Sequence, residues 1–150
     1  NVGNFGSSRR IDYTALGENI NLASRMEGLN KYLGTDVLIT GEVQAAVTDK
    51  FVTRFCGQFK LKGFEKAVDV HELLALPDKA EATRAWRVDF AEALKHYQSN
   101  NLDEAERGFQ CTIQLHPDDG PSQFFLKHIK EVREHPPEGE WTQVVELKEK

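Results

Sequence analysis

The sequence predicts an α+β sandwich over residues 1–78 followed by an all-α helical appendage over residues 79–150. Three observations carry this reading. Before Pro77, short β-branched and aromatic runs alternate with helical stretches, as in a sheet covered by helices. After it, apolar residues recur at three- and four-residue steps, as on the buried faces of helices. Between the two lies "PDKAEATR", a proline followed by small and charged residues, which marks the boundary.

Taken in order, "NVGNFGSS" reads as a glycine-rich turn and "RIDYTAL" as a short strand ending at Gly17. A helix follows from Glu18 to Leu33 and stops at Gly34, a residue type that closes helices in the left-handed conformation. "DVLIT" is a strand and "GEVQAAVTD" a short helix. "FVTRFCGQFKLKG" and "KAVDVHELLAL" make the two strands of a hairpin. In the second part, Trp86, Phe90, Ala93, Leu94 and Tyr97 form one apolar stripe that "SNN" interrupts. Leu102, Ala105, Phe109 and Ile113 form another, ended by His116-Pro117. A third helix starts at Pro121, with Phe124, Phe125, Ile129 and Val132 on its apolar side. "HPPEGEW" is a loop, and "WTQVVELKEK" closes the chain.

The balance of 39% hydrophobic and 29% charged residues describes a soluble globular chain. A net charge of −5 without any basic block excludes a nucleic-acid footprint. Cys56 and Cys111 lie in separate segments without metal-like spacing, which fits a reduced, cytosolic setting better than a disulfide framework. The five histidines are scattered, so His71 and His128 read as packed or solvated rather than as ligands. Within this stretch no signal-peptide pattern is read, and no apolar run approaches the ~18 residues of a spanning helix. The chain opens Asn1-Val2-Gly3 rather than with Met, and so reads as a piece of a longer protein.

Chemistry concentrates in the helix after Gly17. Leu22, Met26, Leu29 and Leu33 make its buried stripe, whereas Asn21 and Arg25, four residues apart, stack beside it, rotated by ~100°. A helix start favours anions through its free N–H groups, and a guanidinium grips phosphate with a planar fork. The spacing alone fits better a surface arginine paired with a nearby carboxylate and an asparagine that is a cap or solvated.

The wider stretch "VGNFGSSRRIDYTALGENINLASRMEGLNK", with "FKLKG" later, resembles the C-terminal half of the class III nucleotidyl cyclase catalytic domain over roughly residues 1–76. The Gly-Asn-x-Gly-Ser turn, the Asp-Tyr-Thr strand and the Gly-x-x-x-Asn-x-Ala-x-Arg-x-Glu helix appear in order and at the family spacing. The resemblance implies a partial ferredoxin-like α/β sandwich of the nucleotidyl cyclase type. It also implies an active site shared between two catalytic domains, and hence a homodimer.

By that resemblance Asn21 orients the ribose of the nucleotide, and Arg25 stabilises charge on the α-phosphate as the 3′-hydroxyl attacks and pyrophosphate leaves. Lys62 matches the family lysine that contacts the terminal phosphates; by itself it reads as an edge-strand lysine that discourages aggregation, and Lys60 is its confounder. Thr14 occupies the position that reads the base. Its hydroxyl can accept from an amino group or donate to a carbonyl, which leaves the base open; the likeness to class IIIb members tips the substrate to ATP.

Family members bind two Mg2+ or Mn2+ ions through Asp residues before the "GNFGS" turn. Asp12 and Asp36 lie in no such motif, so no metal ligand is assigned in this chain, and by itself it is expected to be inactive. The resemblance leaves room for a membrane or sensor domain upstream, with the catalytic part on the cytosolic side.

The tail "FAEALKHYQSNNLDEAERGFQCTIQLHP" resembles one tetratricopeptide-type helix pair. Ala105, Phe109 and Pro117 fit, while the Tyr97 to Ala105 spacing is one residue short. About three such repeats are needed to bury a continuous core. The pair is therefore expected to pack on the first part, on a second copy or on a partner. The function implied is conversion of ATP to 3′,5′-cyclic AMP and pyrophosphate, the rivals being a guanylate cyclase and a non-catalytic scaffold built on a degenerate cyclase half.

Overall fold

The first element, α1, runs from Gly6 to Leu33 in a computed structural model that describes residues 6–147, with side chains from Ile20 onward. The helix thus begins at Gly6 rather than Glu18, and the expected strand at "RIDYTAL" is helical. A strand must find ladder partners, and this stretch pairs with none of the four strands of the sheet. A helix satisfies its backbone groups within its own turns, so the segment continues the helix it adjoins. At the other end the expected stop is present. Gly34 takes φ +64°, and the amides of Gly34 and Thr35 both donate to the Asn30 carbonyl, at 2.8 and 3.2 Å.

The remaining elements are β1 (Leu38–Thr40), α2 (Gly41–Val47), β2 (Val52–Lys60), β3 (Val68–Ala75), α3 (Ala80–Gln98), α4 (Leu102–Leu115), α5 (Gly120–Glu134) and β4 (Val145–Glu146). The Thr40 hydroxyl caps α2 by accepting from the Val43 amide at 3.4 Å. The strands form one mixed sheet in the order β1-β3-β2-β4, antiparallel except for the β2–β4 pair. The described residues therefore have a mixed α+β architecture of five helices and four strands.

Strand β2 decides which side chains meet the helices. Its ladder with β3 passes from Phe55↔His71 to Gly57↔Val70, so a bulge places one extra residue on β2. Val52, Arg54, Cys56 and Phe59 are all buried as a result, while Thr53, Phe55 and Gln58 on the other face are half-buried. That second face carries polar pairing: Gln58 Nε2 donates to Asp69 Oδ1 at 2.9 Å, and Phe55 packs on the His71 ring at 5.1 Å.

Against the buried face, α1, α3, α4 and α5 contribute to one hydrophobic core that holds Met26, Leu29, Leu33, Phe59, Val70, Phe90, Tyr97, Phe109, Phe125 and Ile129. Phe109 and Phe125 stack at 5.2 Å and 7°. Burial of each such side chain contributes ~1.5–3 kcal/mol. The helical tail thus packs directly on the sheet. Helix α5 meets the end of α1 so closely that a side chain at Gly120 would run into the Leu33 carbonyl, which only glycine tolerates.

Candidate functional site

On α1, the stripe Met26, Leu29 and Leu33 is buried, with Leu22 half-buried against the core. Asn21 and Arg25 are exposed on the adjoining face, one turn apart. Because α1 starts at Gly6, the two residues lie in the body of the helix and not at its anion-attracting start. An anion placed there would meet side chains rather than the free N–H groups of a helix start. Thr14 lies within α1 rather than on a strand, and its side chain lies outside the described residues.

Lys62 is exposed and sits in the turn that follows β2, not on the strand itself. The Phe64 amide donates to the Leu61 carbonyl at 3.1 Å, and Gly63 takes φ +88°, so the turn is backbone-locked with Lys62 at its tip. Beside it is a cleft of about 280 Å³, walled by residues 60–64 on one side and by Glu146 and Leu147 on the other. The structure therefore presents an exposed amide and guanidinium one turn apart on α1 and, at the β2–β3 turn, a cleft lined by two lysines and Glu146. The α1 pair and Lys62 stand on separate elements.

Comparison with known proteins finds similar chains. The chain is 40% identical over 84 residues to "Adenylate cyclase 1" of Rhizobium meliloti (strain 1021), covering 56% of this chain and 13% of that protein. It is 29% identical over 133 residues to "Adenylate cyclase, terminal-differentiation specific" of Dictyostelium discoideum, covering 84% of this chain and 6% of that protein. It is 36% identical over 77 residues to "Adenylate cyclase" of Anabaena cylindrica, covering 49% of this chain and 15% of that protein. The chain is similar to adenylate cyclases. It spans less than a sixth of the length of each of these cyclases. No protein-family model matches the chain, and no solved structure does.

The match to the Dictyostelium cyclase has a further use. Residues 1–78 are about half of the 150, so a match over 84% of the chain must enter the helical part as well. Likeness to an adenylate cyclase therefore extends into the tail.

Divalent ions, which cyclase chemistry brings to mind, have no site among the described residues: no group of three or more His, Cys, Asp or Glu could hold one. Among the described residues no helix is long and apolar enough to cross a membrane.

One buried polar cluster escaped the sequence reading. Arg54 Nε and Nη2 donate to Glu72 Oε1 at 2.8 and 2.6 Å, and Nη1 donates to Asp119 Oδ2 at 3.0 Å, with Nη2 also bonded to Asp119 Oδ1. Its guanidinium lies over the Phe90 and Trp86 rings at 4.5 and 4.9 Å, and His116 stacks on Trp86 at 4.4 Å. Asp119 also caps α5, accepting from the Ser122 amide at 3.3 Å and hydroxyl at 2.5 Å. The signal available in the sequence was parity, since Arg54 occupies an inward position of "FVTRFCG". Nearby, burial pushes the Cys56 thiol up to about 12, so it is an inert packing residue.

Proposed function

We propose that this chain supplies the transition-state-stabilising half of an adenylate cyclase site, acting on ATP to give 3′,5′-cyclic AMP and pyrophosphate. The observation that carries the reading is the pair Asn21 and Arg25, exposed one turn apart beside the buried stripe of α1, in a chain 40% identical over 84 residues to a protein named adenylate cyclase. The likeness to class III cyclases, with a tetratricopeptide-like tail, supports the finer assignment.

In this reaction the ribose 3′-oxygen bonds to the α-phosphorus, the bond from that phosphorus to the bridging oxygen breaks, and pyrophosphate leaves. Negative charge builds on the α-phosphate oxygens and on the leaving group. A guanidinium stays charged throughout the working pH range, so Arg25 is suited to the α-phosphate. The Asn21 amide can both donate and accept, as a ribose hydroxyl requires. Lys62, an adaptable point charge at the tip of its turn, is suited to the terminal phosphates. Thr14 is assigned to the base, with ATP preferred over GTP. The site is completed by a second cyclase domain, in a homodimer, and by Mg2+ or Mn2+ ions held outside these 150 residues.

Removal of one preorganised donor of this kind typically costs ~100- to 1,000-fold in turnover. In the full-length protein Arg25→Ala is therefore expected to lose cyclic AMP formation by about that factor, with an unchanged unfolding midpoint because the side chain is exposed. Near-normal product formation by this variant would refute the assignment.

A further inference from the structure

The last described segment of the chain is held down more firmly than its irregular sequence suggests. Val145 is 1% exposed and belongs to the common core. Trp141 Nε1 donates to the Gln98 carbonyl at the end of α3, at 3.0 Å, and its ring meets Tyr97 edge-on at 5.2 Å. Between these anchors and the end of the described residues, Val145 and Glu146 pair in parallel with Phe59 and Lys60.

The place of that pairing is informative. The β2–β3 ladder ends at Phe59↔Val68, so Lys60 has no partner residue on β3 in that ladder. Strand β4 reaches one residue further, to Lys60↔Glu146, and the turn bearing Lys62 opens immediately afterwards. Glu146 and Leu147 form the far wall of the cleft in which Lys60 and Lys62 stand.

We infer that residues 141–147 act as a strap which fixes the Lys62 turn for the terminal phosphates of the nucleotide, with Trp141 and Val145 as its positioning residues. This rests on the cyclase reading of Lys62 given above. It assigns the helical tail a task in substrate binding, because the strap is anchored to α3 and to the core rather than to the turn it holds. A loosened turn lets the Lys62 ammonium sample many positions, which weakens the ground-state grip on the triphosphate. The chemistry at Arg25 is left intact. The expected consequence is a raised KM with a nearly unchanged kcat.

The test uses the full-length protein with Val145→Asp, Trp141→Phe and the conservative Val145→Ile, each compared with Lys62→Ala. Amide hydrogen exchange of residues 60–64 and steady-state kinetics with ATP are measured on all four. Val145→Asp is expected to speed exchange in the turn at least ~10-fold and to raise KM roughly five-fold with kcat within about two-fold, and Val145→Ile to behave as the parent. Trp141→Phe keeps the ring, removes the donor, and shows the same split more weakly; it serves as the informative variant should Val145→Asp fail to fold. Unchanged exchange in both variants overturns the strap and leaves the cyclase reading standing. Faster exchange with an unchanged KM, where Lys62→Ala raises KM, also overturns it. If Lys62→Ala itself leaves KM unchanged, the phosphate role of Lys62 falls and the strap's task falls with it.

Discussion

A single guanidinium bears most of the electrostatic risk in this chain. Arg54 is 5% exposed and Asp119 1% exposed at the side chain, so neither can fall back on water if the other is removed. Burial opposes the charge on Arg54, but the hydrogen bond to Asp119 and the surrounding field outweigh it and raise its pKa further above the ordinary value. Burial also dominates at Glu72, whose pKa rises despite Arg54. Loss of one partner of such a pair typically costs ~3–5 kcal/mol. Asp119→Ala is expected to fall in that range in urea denaturation, since it also strips the cap of α5; a loss under ~1 kcal/mol, the worth of an exposed pair, would show the cluster to be energetically idle. Two histidines set the acid side of the stability profile. His128 lies against Phe124 and Tyr97 at 5.8 and 5.9 Å, and burial lowers its pKa against the pull of Glu131. His71 is likewise lowered by burial, against Asp69. A lowered histidine pKa means that folding expels a proton, so its contribution is complete above the ordinary value of 6.5 and is lost as pH falls through the lowered one. Glu72, raised, acts in the opposite sense: its contribution is present at low pH and lost as pH rises through its raised value. Stability is expected to fall between about pH 7 and about pH 5, and to fall less in a His71→Gln, His128→Phe double variant, as read from urea midpoints at the two pH values.

At the scale of elements, what could be read from the sequence was whatever repeats. The stripe of α3, Phe125 and Ile129 of α5, and the Met26, Leu29, Leu33 series of α1 are buried where helical period places them, while Phe124 and Val132 of the α5 stripe are half-buried. In α4 the period also selects Ala105 and Phe109, but Thr112 is buried as well, its hydroxyl donating to the Gly108 carbonyl at 3.0 Å; a satisfied threonine packs like an apolar residue and leaves no trace in a hydropathy pattern. "RIDYTAL" has strand-like composition, yet strand propensity needs neighbours that this sheet does not offer it. Strand β4 failed for the reverse reason. It is two residues long, so it has no period of its own and exists only through its register with β2. The candidate site divides in the same way: Asn21 and Arg25 are legible as i, i+4 neighbours on one element, whereas the strap beside Lys62 joins residues about 80 positions apart, a relation no local pattern encodes.

The described residues share one core that crosses the boundary at residues 78–79. The composition shift at "PDKAEATR" is real, but it marks a change of secondary structure over continuous packing. Phe59, Cys56 and Val70 on the sheet are 0% exposed, and their cover includes Leu94 and Phe125, which lie close to the bulge at Gly57. A chain ending at residue 78 would lose that cover and retain too little core for its length. It is expected to show no cooperative unfolding and to bind a hydrophobic dye, whereas the intact chain unfolds in one transition seen alike by tryptophan fluorescence and far-UV dichroism. A cooperative transition in the shortened chain would show that the sheet stands alone.

The extra residue of the bulge, Cys56 beside Gly57, bears on how this strand can change in length. In a pleated ribbon each step reverses the side on which a substituent emerges, so an insertion or deletion of one acts less on extent than on handedness of facing. Take out the odd member, and plain alternation returns: Gly57, Gln58 and Phe59 keep their places opposite Val70, Asp69 and Val68, with Phe59 still turned to the phenyl rings and Gln58 still away from them. This strand can thus give up one residue at the bulge without turning Phe59 from the core, whereas one residue more in either direction would turn it.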